Sequence, residues 1–529
     1  MRQPTNGADV PVVDLYDTTL RDGTQQQGVS PTVADKLRIA EVLDSLGVAY
    51  IEGGWPGANP KDTEFFRAAA AGDLDLKRAT LTAFGMTRRP GAAASDDPTL
   101  RALLDAKTQA VCLVGKSWDL HVTEALGTTL DEAVRMVADS VALLRGEGRT
   151  VFFDAEHFFD GHASDPAFAL DVVTAAAEAG AQCVVLCDTN GGALPGRVTD
   201  VVGQVVAAVG GVQVGIHAHN DTDCAVANSM AAVQAGATHV QGTANGIGER
   251  CGNANLMSLI PNLQLKLGLD VVAPDDLVHL TRVAHEVAEV LNLTTDPHAP
   301  YVGHAAFAHK AGLHVSALAK RADTYQHVDP ALVGNDLRLL VSELAGRATV
   351  VLKSEEFGLN LVDGDAARVL ERVKELEHVG YTFEAADASF ELLMRAETGQ
   401  RPVPFRLESF RTIVERRSDH TAVAEATVKV WVGDERLIGT GEGNGPVDAL
   451  DQAFRAAIGQ RLPAIASLRL EDYKVRILDP GRGTGATTRV LIRSSDAERE
   501  WETVGVSPNI IEASWLALAD AYDYALLDR

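Results

Sequence analysis

Positive charge is scarce in this chain. Its 47 Lys and Arg face 73 Asp and Glu, a net charge of −26. A surface field of that sign repels nucleic acid and anionic lipid headgroups, so neither is expected as a partner. A small anionic substrate is still admissible, because a local pocket can oppose the global field. Long apolar runs are missing as well; no stretch approaches the roughly twenty residues that cross a bilayer, so no membrane span is expected. The opening segment, Met1-Arg-Gln-Pro-Thr-Asn-Gly-Ala-Asp9, lacks the apolar core of a secretory signal. Cysteine is sparse and odd in number: Cys112, Cys183, Cys187, Cys224 and Cys251. That suits a reducing compartment better than a disulfide scaffold, and a cytoplasmic location is expected. Cys183 and Cys187 flank an apolar strand-like run, where core packing is the simplest role.

What is present is a long alternation. Short apolar runs at 12–16, 48–51, 79–84, 110–114, 150–153, 182–186, 212–216 and 239–242 read as eight strands. Helical-period segments lie between them, at 32–46, 62–71, 130–145, 167–179, 196–209 and 224–235. Eight βα units in about 250 residues predict an α/β fold of the (β/α)8 TIM-barrel type, with a doubly wound open sheet as the competitor. The reactive residue types favour the barrel. Asp17, Arg21, Asp22, Glu52, Asp154, Glu156, Asp188, Thr189, His217 and His219 all follow predicted strand ends, where a barrel builds its active site. Three domains are expected: a catalytic barrel over 1–270, a helical linker region over 271–398, and a C-terminal α+β domain over 399–529. In the last, two rounds of strands followed by a helix suggest a pseudo-repeat.

Three motifs carry chemistry. Asp17-Thr-Thr-Leu-Arg-Asp-Gly-Thr-Gln25 places two carboxylates and an arginine after the first strand. A carboxylate there can ligate a divalent ion, and Arg21 can present its planar fork to a developing oxyanion. A salt-bridged loop is the plainer reading. His217-Ala-His219-Asn220-Asp221 closes the seventh strand; residues two apart share a face, which suits two ligands of one ion. Gly242-Thr-Ala-Asn-Gly-Ile-Gly-Glu-Arg-Cys-Gly-Asn253 follows the eighth and offers the Asn253 carbonyl. It lacks the P-loop Lys-[Ser/Thr] ending, so a nucleotide loop is unsupported. Barrel closure makes strands one, seven and eight near neighbours. Asp22, His217 and His219, with Asn253 as a weaker fourth, can therefore converge on one metal and leave positions open for substrate.

Taken in order, these motifs resemble the metal-dependent barrel acyltransferases that include the 2-isopropylmalate, homocitrate and citramalate synthases. The resemblance runs on through Ala306-Phe-Ala-His-Lys-Ala-Gly-Leu-His314 and into the C-terminal region, covering nearly the whole chain. Within the family, Ile51-Glu-Gly-Gly-Trp-Pro-Gly-Ala-Asn-Pro-Lys-Asp62 and Lys116-Ser-Trp-Asp-Leu-His121 are similar to the citramalate synthases, with Trp55-Pro56 where others carry Phe-Pro. A bulky Trp55 is expected to narrow the pocket to a methyl ketone.

The resemblance implies condensation of acetyl-CoA, as co-substrate, with pyruvate, then thioester hydrolysis to citramalate and CoA. The metal, Mg, Mn, Zn or Co, would polarise the ketone. Arg21 would stabilise its oxygen, Thr189 would hydrogen-bond the substrate carboxylate, and Glu52 would be a further substrate contact. His314 with Tyr325, reaching in from a partner subunit of a homodimer, would take the acetyl proton; His309 in the same motif is the alternative. Glu156 would assist as proton relay or orient the hydrolytic water, with His157 and His162 bystanders. The C-terminal domain would sense an amino acid, isoleucine by pathway logic, and Gly439-Thr-Gly-Glu-Gly-Asn-Gly-Pro446 is the candidate anion-binding loop. The rivals are a related synthase using another 2-oxo acid, a lyase running in reverse, and a non-catalytic sensor.

Overall fold

The structure, a computed structural model, describes residues 10–416, 418, 420 and 422–527; the opening segment judged above lies outside them. The chain forms two compact units. One comprises the chain up to Phe307 with Val328–Asp336, the other Ala308–His327 with the chain from Leu337 onward.

In the first unit, eight parallel strands close in sequence order: β1 (Asp14–Asp17), β2 (Tyr50–Glu52), β3 (Thr80–Met86), β4 (Ala110–Lys116), β5 (Thr150–Glu156), β6 (Cys183–Asp188), β7 (Gln213–Ala218) and β8 (His239–Gly242). Asp17 lies opposite Ile51 on one side and Gly242 on the other, so the sheet has no edge and the open-sheet alternative is excluded. Local signals start the outer helices. Thr32 and Asp35 form a reciprocal capping box before Val33–Leu46. Asn59 caps Pro60–Ala71, with proline in the first turn where its missing N–H costs nothing. The inward stripes of these helices, Ile39, Leu43, Phe65 and Phe66 among them, are buried in one core. Tyr16, Cys112, Phe152, Cys183 and Cys187 fill the barrel interior, and the cysteines there are unpaired thiols in packing roles.

Several strands run further than their apolar runs. Asp17, Glu52, Asp154, Glu156, Asp188 and His217 are strand residues, not residues after the strand. The ladder continues through them, with Lys116 opposite Glu156 and Asp188 opposite Ala218. Near the mouth the barrel lining turns polar, so the hydrophobic signal ends before the hydrogen bonds do.

The second unit contains helices Gly312–Leu318, Arg347–Glu356, Asp365–His378 and Asp387–Glu397. It also contains a pair of two-residue parallel strands, β9 (Ala308–His309) and β10 (Arg338–Leu339), too short to leave any period in the sequence. Beyond them lie two rounds of one pattern. β11 (Arg406–Arg416), β12 (Ala422–Val432) and β13 (Glu435–Gly443) form an antiparallel sheet followed by helix Pro446–Ile458. β14 (Arg469–Ile477), β15 (Thr488–Ser495) and β16 (Glu500–Ser507) form another, followed by Ile510–Ala525. The expected anion loop is corrected here. Gly439, Gly441 and Gly443 belong to β13 and lie beneath the helix. A Cβ on them would stand 2.1 Å from Ala453 O, 2.5 Å from Ala453 N and 2.5 Å from Ala449 N. The Asn444 N–H already donates to Asp448 Oδ2 at 2.9 Å. The stretch is glycine-rich because helix backbone touches strand backbone, and Gly505 repeats the contact against Ala513 and Ala517 in the second round. Among the described residues, no helix is long and apolar enough to cross a membrane.

Candidate active site

The turn after β1 is built by Asp17. Its carboxylate accepts the Thr19 N–H at 2.8 Å and the Thr19 hydroxyl at 2.9 Å, and Thr19 Oγ1 accepts the Ala244 N–H. Burial pushes the Asp17 pKa up to about 7, against those hydrogen bonds. Asp17 is thus a turn-former tying β1 to the loop after β8, and it frees Arg21 and Asp22 to face the mouth.

Arg21 is held on three sides. Nε donates to Glu52 Oε1 at 2.5 Å, Nη1 lies 3.0 Å from Asp22 Oδ1, and the guanidinium sits 4.0 Å over the Phe84 ring. The second oxygen of Glu52 accepts the Tyr16 hydroxyl at 2.7 Å. Glu52 therefore bears on any substrate through Arg21. Of the two bridges the plain salt-bridged reading offered, Asp17 or Asp22 with Arg21, the one with Asp22 forms, and Glu52 is the arginine's further carboxylate partner.

Asp22, His217 and His219 meet. Their donor atoms lie within 4.8 Å of one another, all three residues buried. Asp22 Oδ2 is 3.0 Å from His217 Nε2 and 4.0 Å from His219 Nε2, and the two Nε2 atoms are 3.4 Å apart. Burial pushes the Asp22 carboxyl up, but Arg21 and then the imidazoles outweigh it and hold it well below the usual range. Burial, then the neighbouring His217, lowers His219 to about 4, which keeps that ring neutral. Asn253 joins them through a bridge with His219 in the loop after β8. Its Nδ2 lies 3.0 Å from Asp22 Oδ2 and 3.2 Å from His217 Nε2, while its Oδ1 is buried without a partner among the described residues. A half-turn of the amide would aim that oxygen at the same point.

This donor set fits a divalent cation: one carboxylate, two imidazoles and an amide oxygen around one buried point. The outer hydrogen bonds fit too. Gln241 Nε2 donates to Asp154 Oδ1 at 2.9 Å, which turns Gln241 Oε1 toward His217 Nδ1 at 2.8 Å. Nδ1 then carries the proton and Nε2 presents its lone pair inward. Sequence reading missed Gln241. Its signal was its spacing two residues from His239 on β8, the inward register.

The remaining candidates sort by position. The Thr189 hydroxyl accepts the His157 N–H at 2.9 Å, which leaves its own proton to donate. Glu156 pairs with Lys116, while its carbonyl accepts the Ser117 hydroxyl. His157, in a left-handed conformation (φ 57°), contacts Asp160 and packs edge-on to His121, so it organises the rim beside Thr189. In the second unit, His314 stacks on Tyr325 with ring centroids 4.1 Å apart, and burial followed by His314 lowers the His309 pKa.

The HMGL-like family model matches residues 12–287, more than half the chain. A relative described as (R)-citramalate synthase, from Streptomyces coelicolor, is 57% identical over 97% of this chain and 96% of its own length. The chain belongs to the 2-isopropylmalate, homocitrate and citramalate synthase family. Further along, residues 301–380 match the homocitrate synthase post-HMGL domain-like model and 384–526 the LeuA allosteric (dimerisation) domain. An (R)-citramalate synthase from Synechocystis is 51% identical over 97% of this chain and 96% of the relative. A probable 2-isopropylmalate synthase from Methanopyrus kandleri is 33% identical over 95% of this chain and 96% of the relative. These synthases are acyltransferases, and the Asp22, His217 and His219 cluster lies within the matched barrel of the family.

Proposed function

We infer that this chain is a citramalate synthase, condensing acetyl-CoA with pyruvate and hydrolysing the thioester to release citramalate and CoA. The observation that carries the reading is the buried Asp22–His217–His219 cluster beside a fixed Arg21, in a chain aligned end to end with (R)-citramalate synthases. Asp22, His217, His219 and the Asn253 oxygen would hold a divalent cation, which would supply Lewis acidity toward a 2-oxo acid.

The chain's own residues do the rest. Arg21, aimed by Glu52 and Tyr16, stabilises charge growing on the ketone oxygen as the carbon–carbon bond forms. The Thr189 hydroxyl donates to the pyruvate carboxylate. The imidazole of His314, backed by Tyr325 and contributed by the partner subunit of a homodimer, removes the acetyl methyl proton. Glu156 relays that proton or orients the water that cleaves the thioester. The division into a barrel over 1–270, helical modules over 271–398 and a regulatory domain over 399–529 serves this scheme. Isoleucine binding to the last domain would report pathway output, and the enzyme works in the cytoplasm.

Trp55 makes a T-shaped contact with Phe84 (centroids 5.6 Å) beside Arg21 and limits the pocket to a methyl ketone. Assaying CoA release with pyruvate, 2-oxoisovalerate and 2-oxoglutarate tests the reading. Pyruvate should be preferred; a preference for either longer acid would assign a sister reaction. Trp55→Ala should broaden acceptance toward longer 2-oxo acids, and an unchanged profile would remove Trp55 from that role.

A further inference from the structure

One buried ion pair takes no part in the chemistry above. Lys36, on the helix after β1, is 2% exposed and reaches Asp62 Oδ1 with Nζ at 2.6 Å. A buried lysine is rare unless its charge is paired. The other oxygen of Asp62 accepts the Trp55 N–H at 3.0 Å and the Asn59 amide at 2.9 Å. The fit around that carboxylate is close: a Cβ on Gly54, whose φ is +134°, would stand 2.6 Å from Asp62 Cγ. Gly54 O in turn accepts the Phe84 N–H at 3.0 Å. The loop after β2 is thus fixed from below by one carboxylate.

Trp55 is what the loop holds out. Its ring meets Phe84 at 78°, and Phe84 lies beneath the Arg21 guanidinium. Trp55 also lines two cavities. One, of about 660 Å³, contains Arg21; the other, of about 320 Å³, contains Lys116 and Glu156. Trp55 is the residue shared by the lining of the arginine side of the barrel mouth and that of the Glu156 side.

We propose that Lys36 and Asp62 are positioning residues for substrate selection: the pair fixes the Trp55 wall, and the wall sets how long a 2-oxo acid fits beside Arg21. The inference rests on the 2-oxo acid reading of the site. A shape-selecting wall is worth about 10–200-fold per methylene, so small movements of Trp55 register in discrimination. A purely structural ion pair would change stability and lower turnover of all substrates alike.

The test uses the full-length, metal-loaded protein. Lys36→Met removes the cation. Where that variant alone does not fold, the apolar pair K36M/D62L carries the test, because it keeps similar volume and offers the Trp55 N–H no acceptor. Two quantities are read: the ratio of kcat/KM for pyruvate over 2-oxobutanoate, and acrylamide quenching of Trp55, isolated by difference against Trp55→Phe in the same background. The expected result is a ratio lowered about tenfold, mainly through KM, with Trp55 more readily quenched. K36M/D62N, which restores a neutral acceptor, should return both toward wild type. A folded K36M/D62L with the wild-type ratio and wild-type quenching overturns the proposal. The quenching needs no turnover, so a wild-type protein that ignores pyruvate would sink the functional reading while leaving this measurement interpretable.

Discussion

Gln241 decides which nitrogen His217 turns inward. Its amide is oriented by Asp154, and its oxygen claims the Nδ1 proton of His217. Gln241→Leu should weaken Co(II) binding about 10–100-fold, read by chelator competition. Unchanged affinity would mean that the ligand is oriented by something else. Two residues along, inside the barrel, His239 stacks on Phe152 with centroids 5.2 Å apart, and neither ring nitrogen has a partner among the described residues. Gly215 makes room for it; a Cβ there would lie 2.7 Å from His239 Cδ2. Burial lowers the His239 pKa from 6.5 to about 3. The unfolded chain therefore takes up a proton below pH 6.5 that the folded chain refuses. Stability from the neutral ring is complete above pH 6.5 and is lost as pH falls toward 3. Relative to His239→Met, the wild type should lose about 2 kcal/mol between pH 7.5 and pH 5 in denaturant titrations. Parallel pH profiles for the two proteins would refute the assignment.

At the scale of elements, the second unit rests on strands and helices in backbone contact. Gly441 stands under Gln452 and Ala453, so Gly441→Val must push the helix Pro446–Ile458 off β13. A loss of about 1–3 kcal/mol is expected, seen as earlier unfolding of this unit with the metal site intact. A neutral effect would contradict the contact. The same glycines show where sequence reading reaches its limit. Glycines at 439, 441 and 443 are two apart, the spacing of one strand face, yet glycine also serves turns, and the stretch read as a loop. The eight strands were legible because apolar runs recur between helical periods. Their ends were not, because the lining of a barrel mouth is polar and resembles a loop. The cluster of Asp22, His217 and His219 was legible because its members sit in compact motifs. Gln241, Lys36 and Asp62 were not, since a lone polar residue shows its partner only after the fold brings them together, as with Lys36 and Asp62, 26 residues apart.

For the whole molecule, the net charge of −26, the match to the LeuA allosteric (dimerisation) domain over 384–526 and the buried Asp22, His217 and His219 cluster belong to one acidic synthase. If His314 serves the partner's barrel, two inactive proteins should complement. Mixing Asp22→Asn with His314→Ala and allowing subunits to exchange should restore about one quarter of wild-type activity, because half the dimers then hold one complete site. No recovery from exchanged heterodimers would place His314 in its own subunit's site, and an active His314→Ala protein would remove it from the chemistry. The most direct measurement of the central claim is pyruvate-dependent CoA release by chelator-treated protein before and after a divalent cation is restored, with His217→Asn alongside. The account predicts no release after chelation, recovery with the cation in the wild type, and none in the variant. Undiminished release from chelated protein, or from His217→Asn, would contradict it.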